Sequence, residues 1–165
     1  MFYEVALIPM YLLIGVWGSG RKEYAAMKLT LMLMGGSAFL LIGILGIFYG
    51  AGGETMNLLE IAKLHIPHEM QRIFFPLIFL GFGVLGALFP FHTWSPDGHA
   101  SAPTAVSMLH AGVLMKLGGY GCFRVAMYLM PEGAAMWGDV FLILTTTSGV
   151  YGAFSAVVQT DVKYI

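Results

Sequence analysis

Five apolar stretches, each about as long as a bilayer-crossing helix, dominate the sequence. A helix crosses the hydrocarbon core of about 30 Å with roughly 17 to 25 residues. Lipid offers no partner to backbone amides, so each stretch must satisfy its own hydrogen bonds as a helix. Of the 165 residues only 10% are charged, against roughly 25% in a soluble domain. We therefore predict an all-α polytopic membrane protein with a single membrane domain, its helices at about 2–18, 29–50, 72–91, 104–130 and 137–160.

Charge and cysteine content exclude several classes of function. The net charge is -1, and the largest cluster of cations is the three near residues 21–28, so we expect no nucleic-acid partner. The single cysteine, Cys122, excludes an intrachain disulfide and any multi-cysteine metal or iron-sulfur site. The order H-x-x-H-E at residues 65–69 matches neither zinc-helix pattern. We therefore predict no metal and no cofactor in this chain.

The segment FPFHTWSPDGHASAPTA, between the third and fourth apolar stretches, is the least regular part of the chain. Pro90, Pro96 and Pro103 each remove a backbone donor and disfavour helical geometry in the preceding residue. A helix must break here. A break at membrane depth would be a discontinuous helix of the kind found in ion-carrying transporters. An ordinary turn at the membrane surface fits the composition equally well.

Polar side chains are concentrated in this irregular segment. His92, Asp97 and His99 lie in it, and Asp161 and Lys163 close the chain. Imidazole and carboxylate groups beside freed carbonyls would suit a proton path. They would equally well satisfy the broken backbone, and the spacing does not separate these two interpretations.

Ionisable groups inside the predicted helices are the clearest functional candidates. Lys116 lies near the middle of the fourth helix, where a charge costs roughly 2.5 to 3.5 kcal/mol to insert. Because burial disfavours the charged form, such a lysine could load and release a proton; the alternative is a structural lysine paired to a carboxylate. Glu4 is the only charge in the first helix, and His110 lies in the fourth. For His110 a proton relay and a packing role are equally consistent with the sequence.

A long motif in this region carries a family resemblance. FPFHTWSPDGHASAPTAVSMLHAGVLMKLGGYGCFR resembles the signature of the antiporter-like membrane subunits of NADH-quinone oxidoreductase (respiratory complex I), of the subunit M or chain 4 type. EVALIPMYLLIGVWG is similar to the glutamate-bearing fifth helix of that family, and AVVQTDVK to its Q-T-D-x-K segment. The resemblance runs from end to end and implies that the chain is an internal fragment of such a subunit.

The resemblance implies a fold, a function and a set of site residues. The fold would be a pair of inverted five-helix repeats, with most of the first repeat and the start of the second present here. The function would be proton translocation coupled to electron transfer from NADH to quinone. Glu4, Lys116 and Lys163 would lie on the proton path, supported by the four residues His92, His99, His110 and Asp161.

The chain departs from the family pattern at one important position. The family usually carries a lysine five residues before the proline matched by Pro90, and Leu85 stands there in this chain. The expected partner of Glu4 is therefore missing. Our hypothesis is that His110, at a position that is more often apolar, supplies the titratable site that Leu85 lacks.

The resemblance also implies partners and a location. NADH, FMN, iron-sulfur clusters and quinone would belong to other parts of the complex, with no redox centre in this chain. The partners would be other membrane-arm subunits and the lipid bilayer, in an energy-coupling membrane that we expect to be the bacterial inner membrane. A subunit of an Mrp-type cation/proton antiporter or of a membrane-bound hydrogenase is the alternative, and a lipid-facing scaffold without an ion path is a third possibility.

Overall fold

Helices are the only regular secondary structure in the part that the computed structural model describes, residues 2–160 and 162–164. In chain order the helices are α1 Phe2–Trp17, α2 Lys22–Gly50, α3 Leu58–Ile61, α4 His68–Leu85, α5 Trp94–Ser101, α6 Thr104–Leu109, α7 Met115–Gly121 and α8 Pro131–Val158. Two π-helical segments, His110–Leu114 and Cys122–Met127, flank α7, and Val162–Tyr164 forms one 3-10 turn. The predicted all-α class is therefore correct for the described residues.

Two helices among the described residues are long and apolar enough to cross a membrane, Lys22–Gly50 and Pro131–Val158, and Glu4–Trp17 is a shorter apolar helix. α2 begins seven residues before the predicted 29–50. Residues 22–28 are mostly good helix formers. Because several of them are charged, hydropathy alone does not assign them to the helix.

The third predicted helix, 72–91, is shorter at its carboxyl end, because α4 stops at Leu85. The sequence stays apolar beyond that point, so hydropathy alone extends the helix too far. α8 begins at Pro131, six residues before the predicted 137. Proline at the first helical position has its φ angle already set for the helix and lacks an N–H that would be unsatisfied there.

Two groups of buried apolar side chains hold the helices together. One joins α1, α2, the end of α4 and the segment after it, with Ile14, Leu29, Leu33 and Trp94 among its fully buried members. The other joins α2, α4, α8 and the second π-helical segment through residues such as Ile78 and Met130. Small residues let these helices approach closely: a Cβ on Gly43 of α2 would lie 2.2 Å from Ile78 Cγ1.

Candidate functional site

The helix breaks in the region where the prolines predicted it, although α4 already ends at Leu85, five residues before Pro90. Leu88 N–H donates to Gly83 O (2.8 Å) and Ala87 N–H to Val84 O (3.2 Å). This is the Schellman pattern that ends many helices, and it needs a left-handed residue just past the end. Ala87 fills that position with φ 57°. The Phe89–Pro90 peptide bond is cis.

Beyond Pro90 the chain forms α5, and Ala102 is extended before α6 begins at Thr104. Residues 86–103 therefore form a helical break that contains one short helix, and we call this segment the break.

Side chains from neighbouring helices satisfy polar backbone groups on the α4 side of the break. Trp94 is fully buried and donates its Nε1–H to Val84 O at 3.0 Å, at the end of α4. Phe89 N–H donates to Ser148 Oγ of α8 at 3.1 Å. Since an unpaired backbone group away from water costs free energy, these contacts make a break compatible with a position inside the membrane.

Backbone carbonyl groups on the α6 side of the break also accept hydrogen bonds from other parts of the chain. Ser101 O accepts from the backbone N–H of Ser19, in the turn between α1 and α2, at 2.9 Å. Lys163 Nζ donates to Ala102 O at 3.4 Å. The predicted site residue Lys163 is therefore brought to the break, from a position 61 residues away along the chain.

An ion pair attaches α5 to α2. Lys28 Nζ lies 2.7 Å from Asp97 Oδ2, with the two side chains 23% and 24% exposed. The second helix was predicted from residue 29, which left Lys28 outside it, and the sequence reasoning missed this pair. The available signal was a cation next to an apolar stretch and a single carboxylate in the break, whose charges could neutralise each other.

The two histidines His99 and His110 are brought together at the junction of α5 and α6. Their ring centroids are 4.9 Å apart. His110 also stacks on Trp94, with 5.1 Å between centroids, and His99 Nδ1 lies 2.8 Å from Ser107 Oγ. His92 lies elsewhere in the break, against Phe89 and Tyr151 of α8.

Glu4 has a partner in α2. The Oγ of Ser37, which is buried, lies 2.8 Å from Glu4 Oε1 and 2.9 Å from Met34 O, so its single hydroxyl hydrogen is shared between these two acceptors. The sequence reasoning found Glu4 but missed Ser37, since a serine in an apolar helix commonly bonds only to its own backbone.

The expected burial of Lys116 is not found in this chain. Lys116 lies on the outward face of α7 and is exposed, whereas Gly118 of the same helix is buried against α4. Glu4 is likewise exposed apart from its bond to Ser37. Among the described residues no hydrogen bond or ion pair joins Lys116 to Glu4, and Asp161 lies outside the described residues.

Comparison with known proteins shows a match along the whole chain. The model of the NADH:quinone oxidoreductase/Mrp antiporter transmembrane family matches residues 1–165. NAD(P)H-quinone oxidoreductase chain 4 of a Picosynechococcus species is 42% identical over 99% of this chain and 30% of its own length. NADH-quinone oxidoreductase subunit M of Rickettsia prowazekii is 38% identical over 99% of this chain and 33% of its own length.

Among solved structures, a chain of respiratory complex I from Thermus thermophilus with bound NADH matches with a TM-score of 0.90 and 31% identity. The match covers 99% of this chain and 35% of that one. The chain thus spans about a third of the length of these relatives. The resemblance inferred from the motifs is confirmed, and the chain belongs to the NADH:quinone oxidoreductase/Mrp antiporter transmembrane family.

Proposed function

We propose that this chain is part of a proton-translocating membrane-arm subunit of an NADH:quinone oxidoreductase, of the chain 4 or subunit M type. The observation that carries the proposal is the end-to-end match to a membrane chain of complex I at a TM-score of 0.90. NADH, FMN, the iron-sulfur clusters and quinone would bind in other parts of the complex. The subunit would work beside other membrane-arm subunits in an energy-coupling membrane such as the bacterial inner membrane.

Five membrane crossings fit the helices: α1, α2, α4, α8, and the run from α6 through α7 with its two π-helical segments. The four residues of α3 are too short to cross and would lie at the surface. The break would lie at membrane depth. Its support is that protein groups donate hydrogen bonds to Val84 O, Ser101 O and Ala102 O, as irregular backbone inside a membrane requires.

The proton path would use Glu4, Lys116 and Lys163. Ser37 of α2 donates to the Glu4 carboxylate and so holds it against that helix. Lys116 would carry the proton on the outward face of α7, towards the part of the path formed by the rest of the subunit. Lys163 would continue the path at the carbonyl of Ala102.

The groups in the break would support this path. His92 and His99 would serve in its hydrogen-bond network, and Asp161 precedes Lys163 by two residues. The Lys28–Asp97 pair holds α5 against α2, so the polar groups of the break keep their positions while protons move.

The test is proton uptake by membrane vesicles that carry the full-length subunit with Lys116→Ala, driven by NADH and measured beside quinone reduction. We expect proton translocation through this subunit to slow by about 10²-fold or more, as when an acid-base group is lost. Lys63→Ala is the matched control, because Lys63 is exposed in the segment between α2 and α4. Full translocation by an assembled Lys116→Ala complex would exclude Lys116 from the path and favour the scaffold interpretation.

A subunit of an Mrp-type antiporter is the second candidate, because the family model covers those proteins as well. The two functions differ in their driving reaction. Translocation that needs NADH oxidation supports the oxidoreductase, whereas exchange of sodium ions for protons without NADH supports the antiporter.

A further inference from the structure

His110 is the most deeply buried ionisable side chain among the described residues. It is 1% exposed, and neither of its ring nitrogens has a hydrogen-bond partner among the described residues. Buried polar atoms in folded proteins are nearly always paired, so an unpaired one calls for an explanation. An apolar side chain of similar size would fill this place at lower cost. The imidazole therefore has a use other than packing.

The surroundings of His110 hold its ring in one place. Its ring stacks on Trp94 at an interplanar angle of 25°, and Trp94 is itself fixed by its hydrogen bond to Val84 O. The ring of His99 is tilted by 52° to that of His110 at a centroid separation of 4.9 Å. The two imidazole rings are therefore direct neighbours.

A hydroxyl group connects the pair to the helix backbone. His99 Nδ1 lies 2.8 Å from Ser107 Oγ, three residues before His110. A hydroxyl can donate and accept at once, so Ser107 can hold His99 in either of its neutral tautomers and can also accept from its cation. The hydroxyl is hydrogen-bonded to one imidazole, and the other imidazole lies against the first.

The backbone beside the pair is irregular on both sides. A π-helical segment begins at His110 itself, and the break ends at Pro103, seven residues earlier. Single π-helical turns within α-helices occur frequently at functional sites. The segment thus supplies a second, independent indication that the position of His110 is specialised.

The charged groups on the neighbouring helices leave the pair without a fixed counter-ion. On α5, Asp97 is paired with Lys28 of α2. On α1, Glu4 accepts from Ser37. On the helix of His110 itself, Lys116 is exposed on the outward face.

The remaining ionisable groups of the packed helices are at other positions. Those of α4 lie in its first turns, at residues 68–72, and Glu132 at the start of α8 lies beside His68. Asp139 is in the exposed part of α8. No carboxylate among the described residues therefore holds the histidine pair permanently in its charged form.

We propose that His99 and His110 form a single buried proton-exchange site at the junction of α5 and α6. The proposal rests on the proposed function, since it places a further proton-carrying group on the same path. In the step, the N–H bond of one protonated imidazole breaks as its proton passes to the unprotonated nitrogen of the other. The donor becomes neutral, the acceptor becomes the cation, and nothing else is made or broken. Ser107 positions His99 for this exchange.

The experiment uses the full-length complex in vesicles and compares His110→Gln with His110→Leu. Glutamine keeps a hydrogen-bonding side chain but cannot carry a proton at neutral pH, whereas leucine removes both properties. We expect NADH-driven proton translocation through this subunit to slow by about 10²-fold in both variants, with quinone reduction and assembly retained. His65→Gln is the control, because His65 is exposed in the segment between α2 and α4.

Three further readouts make the result decisive. Normal translocation by His110→Gln overturns the proposal, because a hydrogen bond alone would then be enough. Ser107→Ala leaves both imidazoles in place and should slow translocation less than His110→Gln does. If the His110 variants fail to assemble, the test uses the two single variants Ser107→Ala and His99→Gln. Normal translocation by both of these variants then overturns the proposal. Lys116→Ala in the same preparation separates the two hypotheses. If it abolishes translocation while His110→Gln does not, only the inference about the histidine pair fails.

Discussion

The packing of α7 against the end of α4 makes a prediction about two adjacent glycines. A Cβ on Gly118 would lie 2.6 Å from Gly86 N, 2.7 Å from Phe82 O and 3.0 Å from Gly86 Cα. All three are backbone atoms, which cannot move aside as the tip of a side chain can. A Cβ on Gly119, one residue later in the same helix, would meet nothing within 4 Å.

The expected magnitude follows from two opposing effects. Replacing a helical glycine by alanine favours the helix by roughly 0.5–1 kcal/mol, and this gain applies to both positions. Only Gly118→Ala also overpacks a close helix contact, which typically costs about 1–3 kcal/mol. We therefore expect Gly118→Ala to be less stable than Gly119→Ala by about 1–3 kcal/mol, and Gly119→Ala to be at least as stable as the wild type.

The measurement is thermal unfolding of the full-length subunit in detergent, followed by circular dichroism, for both variants and the wild type. The difference between the variants isolates the clash, since helix propensity cancels. Gly35→Ala provides a second control, because a Cβ there would also meet nothing within 4 Å. Equal unfolding temperatures for Gly118→Ala and Gly119→Ala would refute the close approach of α7 to α4.

Two other substitutions test the break. Ala87→Gly should raise the unfolding temperature, because a left-handed φ of 57° costs a residue other than glycine roughly 1–2 kcal/mol. The added freedom of glycine in the unfolded chain offsets part of this gain. A lower unfolding temperature would contradict the Schellman ending. A double-mutant cycle of Lys28→Met and Asp97→Asn should give a coupling energy of about 1 kcal/mol, the upper end for pairs that water still reaches. Strictly additive effects in that cycle would show that the ion pair does not attach α5 to α2.

The helix boundaries show where sequence reasoning fails and why. The carboxyl end of α1 was predicted to within a residue, since glycine and polar residues follow its apolar run at 18–21. The end of α4 was missed by six residues, because Leu88, Phe89 and Phe91 are as apolar as the helix before them. The ending depends on backbone hydrogen bonds from residues 87 and 88, and hydropathy carries no information about those.

For the candidate site, the sequence indicated individual residues but not the contacts between them. Glu4, Lys116 and His110 were named as candidates from the sequence, because ionisable residues stand out in apolar helices. The hydrogen-bond partner of Glu4 was not. Ser37 lies 33 residues from Glu4 along the chain, and nothing in local spacing joins the two.

The sequence by itself determined the class of protein, the family and the place of the break, because composition, a long motif and prolines are all local properties of the chain. Only the tertiary structure decided which groups meet. Lys28 reaches Asp97 across 69 residues, and Lys163 reaches Ala102 across 61. Such contacts depend on the relative positions of whole helices, which are decided by the packing of small and large side chains such as Gly118 against α4. The exposure of Lys116 was decided at the same level, since the close approach of Gly118 to α4 directs the opposite face of α7 outward.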